Sequence, residues 1–196
     1  KDIVPFKEAS DLFYTIDFAA AKVYTGENPL AVEAVNLAHS GGRTVVCASN
    51  PLFPLDGHQM RMSWVGLDKS NFDLITSYES DSFCKPNPEY YKSICERIGV
   101  EPQDCLHIGN DEREDMYAAS SVGINCFLVT DNIIPCAEHP WNGDKGTFAE
   151  LVEYLKSNDN AFLKDVLNWS RQADELFKKE VKELRPFKAV KELLIK

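Results

Sequence analysis

The sequence predicts an α/β protein built on a parallel sheet that helices cover on both faces. Short apolar runs are expected as strands at four places: 44–49, 73–76, 105–108 and 124–129. Segments with helical spacing of apolar residues separate these runs, near 57–65, 88–98, 113–121 and 147–156. Strands that are apolar throughout, and that alternate with helices, are typical of a parallel sheet buried on both faces.

Helical sequence also stands at both ends of the chain. Residues 8–23 have helical spacing, and Pro29 suits the first turn of the helix that follows. Residues 161–181 are rich in Lys and Glu but carry an apolar stripe that includes Phe162, Val166 and Trp169. We expect this stripe to pack against the chain's own body. A partner-binding role, including a homodimer through the C-terminal helices, is the alternative.

Composition narrows the class of protein. A chain of 196 residues, 44% hydrophobic and 27% charged, is typical of one globular domain with or without an appendage. The net charge of −10 argues against nucleic acid or an anionic membrane as a partner, because both would repel this surface. No apolar run approaches the roughly 18 residues that span a bilayer. The six cysteines show no Cys-x-x-Cys spacing, so we expect reduced thiols and a cytoplasmic protein.

Polar residues that could bind a ligand or take part in catalysis follow two of the predicted strands. Ser49 and Asn50 come directly after the first strand, and Gly109-Asn110-Asp111 follows the third, with Asp115 four residues later. Lys85 lies between them in the chain, before Pro86. Because ligands bind at the carboxyl edge of an open parallel sheet, we expect Ser49, Lys85 and Asp111 to share one pocket. A hydroxyl and an ammonium suit a phosphate, and carboxylates suit a divalent metal.

Each of these residues also has an ordinary structural explanation. Ser49 could close a turn, and Asp111 and Asp115 could cap the helix near 113, since acids favour that end. Of the two, Asp111 is expected to be the better metal ligand and Asp115 the better candidate for a cap. Glu112 and Glu114 are expected to be solvated, His107 to be packed in the core, and Trp64 to be structural.

The ordered set resembles the later motifs of the haloacid dehalogenase-like hydrolases, which are mostly magnesium-dependent phosphatases. Their second motif is a strand ending in Ser or Thr, as at Ser49, and their third is a Lys before a helix, often followed by Pro, as at Lys85. Their fourth is an acidic strand-end motif, as at Gly109-Asn110-Asp111 with Asp115. The resemblance covers roughly residues 28–157 and implies a three-layer Rossmann-like core.

The resemblance also implies roles for individual residues. The implied catalytic residues are Ser49, Lys85 and Asp111, the implied substrate-binding residues are Ser49, Asn50 and Lys85, and the implied Mg²⁺ ligands are Asp111, Asn110 and Asp115. Asn110 departs from the family pattern, which has an acid directly after Gly, and this implies a weaker metal site. The implied substrate is a small phosphorylated metabolite, hydrolysed through an aspartyl-phosphate.

The family's first motif, a strand ending in Asp-x-Asp, does not occur in these 196 residues. The nearest candidate, Ile16-Asp17-Phe18-Ala19, has Ala in the second acidic position. We therefore expect a chain that lacks its natural N-terminus and is inactive in this form. We expect residues 1–27 to end a helical cap or return from it, 28–157 to form the core, and 158–196 to be a helical extension. A non-catalytic binding or interaction protein on the same fold is the alternative.

Overall fold

A computed structural model describes the backbone of residues 4–183 and the side-chain surroundings of residues 8–14, 16–158 and 168–178. The helices are α1 (Val4–Leu12), α2 (Pro29–Ser40), α3 (Leu55–Trp64), α4 (Pro88–Ile98), α5 (Ala118–Ser120) and α6 (Phe148–Glu183). Helical turns at Phe13–Asp17 and Phe18–Tyr24 continue α1, and a π-helical segment at Glu112–Tyr117 leads into α5. The strands are β1 (Val46–Cys47), β2 (Leu74–Ile75), β3 (Leu106–Gly109), β4 (Asn125–Val129) and β5 (Lys145–Gly146).

All the strand pairs among the described residues are parallel, and they form two sheets. One sheet joins β1 to β2, with Val46 opposite Leu74. The other has the order β3-β4-β5, with Leu106 opposite Asn125 and Leu128 opposite Lys145. The four predicted apolar strands are therefore present, each shorter than or equal to its predicted run. After β4 the chain forms one further short strand, β5.

Local sequence explains where two helices of the core, α2 and α4, begin. Asn28 accepts hydrogen bonds from the amides of Leu30 and Ala31, and Pro29 occupies the first turn of α2. Asn87 caps α4 in the same way through the amide of Glu89. Proline suits a first turn because its missing N–H would have no helical partner there. At the other end of α4, Gly99 has a φ of 67°, which a residue without Cβ adopts at little cost.

Helices cover both faces of the sheets, as the sequence predicts. On one face Tyr90, Tyr91 and Ile94 of α4 share a buried cluster with Cys126 and Leu128 of β4, and Val46 and Leu74 of the other sheet pack against that cluster. On the opposite face Phe127 and Val129 of β4 pack with Ala34 of α2 and Leu151 of α6. Alternate residues of β4 thus point to opposite layers, as the pleat of a strand requires. This is the α/β arrangement with three layers that the sequence predicts.

The chain divides into two compact units, the first ending at Leu155 and the second beginning at Lys156. In the second unit α6 continues to Glu183, and its described large apolar side chains, Trp169, Leu176 and Phe177, are exposed. Phe162 and Val166, which belong to the predicted stripe, lie outside the described side chains, and residues 184–196 lie outside the described backbone. The docking of the tail on its own body or on a second copy stays a prediction. No helix among the described residues is long and apolar enough to cross a bilayer.

Candidate functional site

The centre of the candidate site is an ion pair between Lys85 and Asp115. Lys85 Nζ lies 2.6 Å from Asp115 Oδ1, and each side chain is only 9% exposed. The ammonium also lies over the rings of Tyr90 and Tyr91, 5.8 and 5.9 Å from their centroids. Both side chains are therefore largely removed from solvent and held in one position, the condition under which an ion pair has a well-defined geometry.

Asp115 is bound on every side. Its Oδ2 accepts the backbone amides of Asn110 and Asp111, at 3.0 and 3.1 Å, and its Oδ1 also lies 3.2 Å from His107 Nε2. Burial alone would raise the pKa of Asp115, but the hydrogen bond from His107 and the Lys85 ammonium outweigh burial and hold that pKa far below its usual range. Burial lowers the pKa of His107, so a neutral imidazole donates to the carboxylate.

Gly109 makes room for this carboxylate. A Cβ at position 109 would collide with the side chain of Asp115, which folds back over the end of β3. The glycine before Asn110 is therefore required by close approach, and its φ is not in the left-handed region. This is a physical reason for the Gly in the strand-end motif.

Asp111 serves as the helix cap. Its Oδ1 accepts the amides of Arg113 and Glu114, at 2.8 and 2.7 Å, and so begins the helical segment after β3. The structure thus gives Asp111 the capping contacts expected of Asp115, and places Asp115, rather than Asp111, against Lys85. A shared pocket of Ser49, Lys85 and Asp111 stays a prediction, and the contact that the structure gives Lys85 is with Asp115.

On the other side of the site, β1 leads into Ser49 and Asn50. The carbonyl oxygen of Ser49 accepts hydrogen bonds from Thr76 Oγ1 at 2.6 Å and from the Tyr90 hydroxyl at 2.8 Å. These two donors lie 2.9 Å apart and are buried, so the backbone at Ser49 is firmly held. Within the described part of the chain, Ser49 Oγ makes no hydrogen bond. Its hydroxyl is therefore available to a ligand.

Asn50 joins the two sides. Its Oδ1 accepts the backbone N–H of Lys85 at 3.2 Å, and its Nδ2 donates to Glu114 Oε2 at 3.4 Å. Tyr91 makes a second connection, because its hydroxyl donates to the carbonyl of Glu114 at 2.7 Å. The ends of β1 and β3 and the start of α4 thus meet at one edge of the sheets, as expected for Ser49, Asn50, Lys85 and the strand-end motif.

The three residues implied as Mg²⁺ ligands do not by themselves form a metal site. Both oxygens of Asp115 are occupied by donors, one oxygen of Asp111 is occupied by two amides, and Asn110 turns its Nδ2 to the carbonyl of Asn132 at 2.5 Å. Mg²⁺ requires oxygen ligands in nearly octahedral geometry. Among the described residues, no group of three or more His, Cys, Asp or Glu side chains is arranged to hold a metal ion. The described residues by themselves therefore present no preformed set of Mg²⁺ ligands.

Sequence reasoning missed several contacts of this site. The expectation that Glu112 is solvated is wrong: its side chain is buried and accepts the amides of Cys136 and Trp141, which lower its pKa. Glu114 is half-buried and accepts a hydrogen bond from Asn50. His107 contacts Asp115 in addition to packing. Trp64 is buried, as a structural role requires. The only sequence signal for Glu112 was its place between two strand-end acids, which does not distinguish a buried carboxylate from a solvated one.

The fold agrees with comparisons to known proteins. Residues 7–123 match the model of the haloacid dehalogenase-like hydrolase family. Because the match covers more than half of the chain, the protein belongs to this family. The curated relatives that it matches include several phosphatases, and its α/β fold with parallel sheets is the fold of the matched structures.

Two curated relatives and one solved structure illustrate the match. Phosphoglycolate phosphatase of Nitrosospira multiformis is 31% identical over 107 residues, which are 55% of this chain and 45% of that protein. Glyceraldehyde 3-phosphate phosphatase of Methanothermobacter thermautotrophicus is 27% identical over 62 residues, 32% of this chain and 27% of that protein. The structure of CbbY from Rhodobacter sphaeroides in complex with phosphate has a TM-score of 0.56 at 19% identity and covers 68% of this chain and 60% of that one. The chain spans about half the length of the phosphoglycolate phosphatase.

Proposed function

We propose that this chain forms the phosphate-binding part of a phosphatase that hydrolyses a small phosphomonoester. The observation that carries the proposal is the position of Lys85: its ammonium is held 2.6 Å from Asp115, and its backbone N–H is bound by Asn50 at 3.2 Å. An ammonium fixed in this way can offset charge on a phosphoryl group without reorganisation. The free hydroxyl of Ser49 and the amide of Asn50 would donate to phosphoryl oxygens. The names of the two phosphatase relatives support a small phosphate ester as the substrate class.

The proposed nucleophile is a carboxylate on a strand that adds between β1 and β3. The same buried cluster packs against both sheets, yet among the described residues no strand pairs with the second edge of β1 or of β3. The side chains at the carboxyl ends of these two strands meet through Asn50 and Glu114. An apolar strand in this place would deliver its last residue beside Lys85, where parallel strands end.

In the proposed reaction the carboxylate oxygen attacks phosphorus, and the bond from phosphorus to the ester oxygen breaks. The alcohol leaves with a proton from a second acid, the role that the second Asp of an Asp-x-Asp motif has in the family. Water, which gives a proton back to the second acid, then attacks phosphorus, and the bond from phosphorus to the carboxylate oxygen breaks, so that inorganic phosphate leaves and the carboxylate is restored. Lys85 offsets negative charge in both steps, and Asp115 keeps its ammonium in place. A requirement for Mg²⁺ is proposed only for a chain that also carries the first-motif carboxylates.

A paired assay tests this function. The 196-residue chain, with Mg²⁺ and para-nitrophenyl phosphate, should show no turnover above background, because its sequence has no Asp-x-Asp carboxylate. A chimera that adds an apolar strand ending in Asp-x-Asp should hydrolyse the ester. In that chimera Lys85→Ala should lower kcat by about two or more orders of magnitude. Lys92→Ala, which removes an exposed lysine of α4, the helix after Lys85, should not. If the unmodified chain hydrolyses the ester robustly, and Asp111→Asn abolishes that hydrolysis, the chain has a nucleophile without an Asp-x-Asp motif and the prediction is wrong.

The alternative function is a non-catalytic binding protein on the same fold. The observation that favours it is the amide of Asn110, which is neutral and bound to the carbonyl of Asn132 where the family pattern has an acid. Under this alternative the chimera should bind inorganic phosphate, measured by calorimetry, and the binding should depend on Lys85, but no aryl phosphate should be hydrolysed. Hydrolysis by the chimera would exclude the alternative.

A further inference from the structure

The segment that follows β4 is bound to the turn that follows β3. Ile134 donates its backbone N–H to the carbonyl of Asn110 at 2.8 Å, and its own carbonyl accepts the N–H of Glu112 at 3.0 Å. Asp111 and Ile134 thereby pair like residues of neighbouring parallel strands. The side chain of Asn110 adds a third bond, from Nδ2 to the carbonyl of Asn132. Segment 132–141 therefore lies directly against the turn that supplies the two amides to Asp115.

Glu112 anchors the far part of this segment. Its Oε2 accepts the N–H of Cys136 at 2.7 Å and its Oε1 accepts the N–H of Trp141 at 3.0 Å, while the residue is only 8% exposed. A buried carboxylate bound to two amides is a strong and directional contact. Tyr117 and His139 make a separate attachment, with rings stacked 3.7 Å apart at an angle of 11°. The segment is thus attached at both of its ends and through a ring stack.

We propose that Glu112 is a positioning residue of the candidate active site. By fastening segment 132–141 it holds the turn at Asn110 and Asp111, so that their amides point at Asp115 Oδ2 and keep Asp115 on Lys85. Asn110 is held on three sides, by Asp115 at its N–H, by Ile134 at its carbonyl and by Asn132 at its side chain. An ionised acid in its place would face the carbonyl of Asn132 with no proton to share, which gives Asn110 a structural reason to be an amide.

Only the catalytic meaning of this inference rests on the proposed phosphatase function; its geometry can be tested in the chain alone. The test compares Glu112→Gln with Glu138→Gln, a matched substitution of an exposed carboxylate within the same segment. Glutamine keeps the size of Glu112 but presents an NH₂ to one of the two amides. We expect hydrogen exchange at Cys136 and Trp141, followed by NMR, to accelerate about tenfold or more, with no change in α4. The amide resonances of Asn110 and Asp111 should shift in the Glu112 variant and stay in place in the Glu138 variant.

Each outcome decides the inference. Unchanged exchange at Cys136 and Trp141, or faster exchange with unmoved resonances at Asn110 and Asp111, would overturn it. Should Glu112→Gln fail to fold, His139→Ala releases the same segment at the ring stack, and the same resonances should then shift. In the Asp-x-Asp chimera, Glu112→Gln should lower kcat severalfold with little change in KM at temperatures where the variant is folded. A chimera without activity would count against the phosphatase function and leave the exchange experiment decisive for Glu112.

Discussion

The two sides of the candidate site are built in opposite ways. At the end of β1 the backbone of Ser49 is held by buried hydroxyls of Thr76 and Tyr90, and the Ser49 side chain makes no hydrogen bond to any described residue. At the end of β3 the side chain of Asp115 holds the backbone, because its carboxylate gathers the amides of Asn110 and Asp111. One side keeps a functional group available, and the other uses its functional groups to make a rigid support.

This contrast indicates which side of the site can act on a ligand directly. A group whose hydrogen-bonding capacity is filled by the protein cannot bind substrate without losing those partners. Ser49 Oγ can still form hydrogen bonds with a ligand, whereas both oxygens of Asp115 already accept hydrogen bonds from the protein. We therefore expect Asp115 to act through Lys85, and the two sides of the site should differ in stability as their contacts imply.

The largest effect is expected for Asp115→Ala. The substitution leaves the Lys85 ammonium with little access to solvent and without its partner, and it leaves two backbone amides without their acceptor. Breaking a buried ion pair costs about 3–5 kcal/mol of folding free energy, and urea unfolding should show a loss in this range. The matched variant is Asp73→Ala, in the sheet of β1 and β2 but at the amino ends of its strands, whose exposed carboxylate accepts one amide, from Val45 at 2.7 Å. That variant should lose about 1 kcal/mol or less.

The pH dependence provides the control for Asp115. Because its pKa is lowered in the folded protein, Asp115 contributes stability above its unfolded pKa of about 4, and this contribution is lost as the pH falls through the lower folded value. The difference in stability between the natural chain and Asp115→Ala should therefore narrow below about pH 4. Equal losses for Asp115→Ala and Asp73→Ala at neutral pH would contradict the contrast between the two sides.

A smaller effect is expected for Tyr90→Phe on the β1 side. The variant removes a buried donor to the Ser49 carbonyl and a partner of Thr76, but Thr76 still donates to the same carbonyl at 2.6 Å. We expect a loss of about 1–2 kcal/mol in urea unfolding. Tyr78→Phe is the control, since Tyr78 is 73% exposed and should change stability negligibly. A null result for Tyr90→Phe would show that the backbone at Ser49 is held by Thr76 alone.

The smallest effect on stability is expected for Ser49→Ala. Its hydroxyl makes no hydrogen bond within the described part of the chain, so the change in unfolding free energy should stay within about 0.5 kcal/mol. In the Asp-x-Asp chimera the same variant should weaken inorganic phosphate, measured by calorimetry, at least severalfold. A large loss of stability would show that Ser49 supports the fold, and the contrast between the two sides would then fail.

Much of the fold could be predicted because its signals are local. Asn28 with Pro29, and Asn87 with Pro88, begin helices where the sequence predicts them, and the apolar runs around Val46 and Phe127 became strands. The ends of the helices were less predictable. The helix expected at 147–156 continues to Glu183, because the charged helical sequence after residue 156 contains no signal that ends a helix. The division into a cap remnant at 1–27, a core at 28–157 and an extension stays a prediction.

At the site, the sequence determined the residue types, their order and the edge of the sheet at which they stand. It could not decide which acid meets Lys85, because Asp111 and Asp115 both follow the same strand within one helical turn. Only the tertiary structure made that choice, through the carboxylate of Asp115 folding back over Gly109 and the cap that occupies Asp111. It likewise buried Glu112 under segment 132–141, a contact between residues 24 and 29 positions apart that no local pattern encodes. The propensity to form a helix or a strand depends on neighbouring residues, whereas the partners of a charged side chain depend on how distant segments pack.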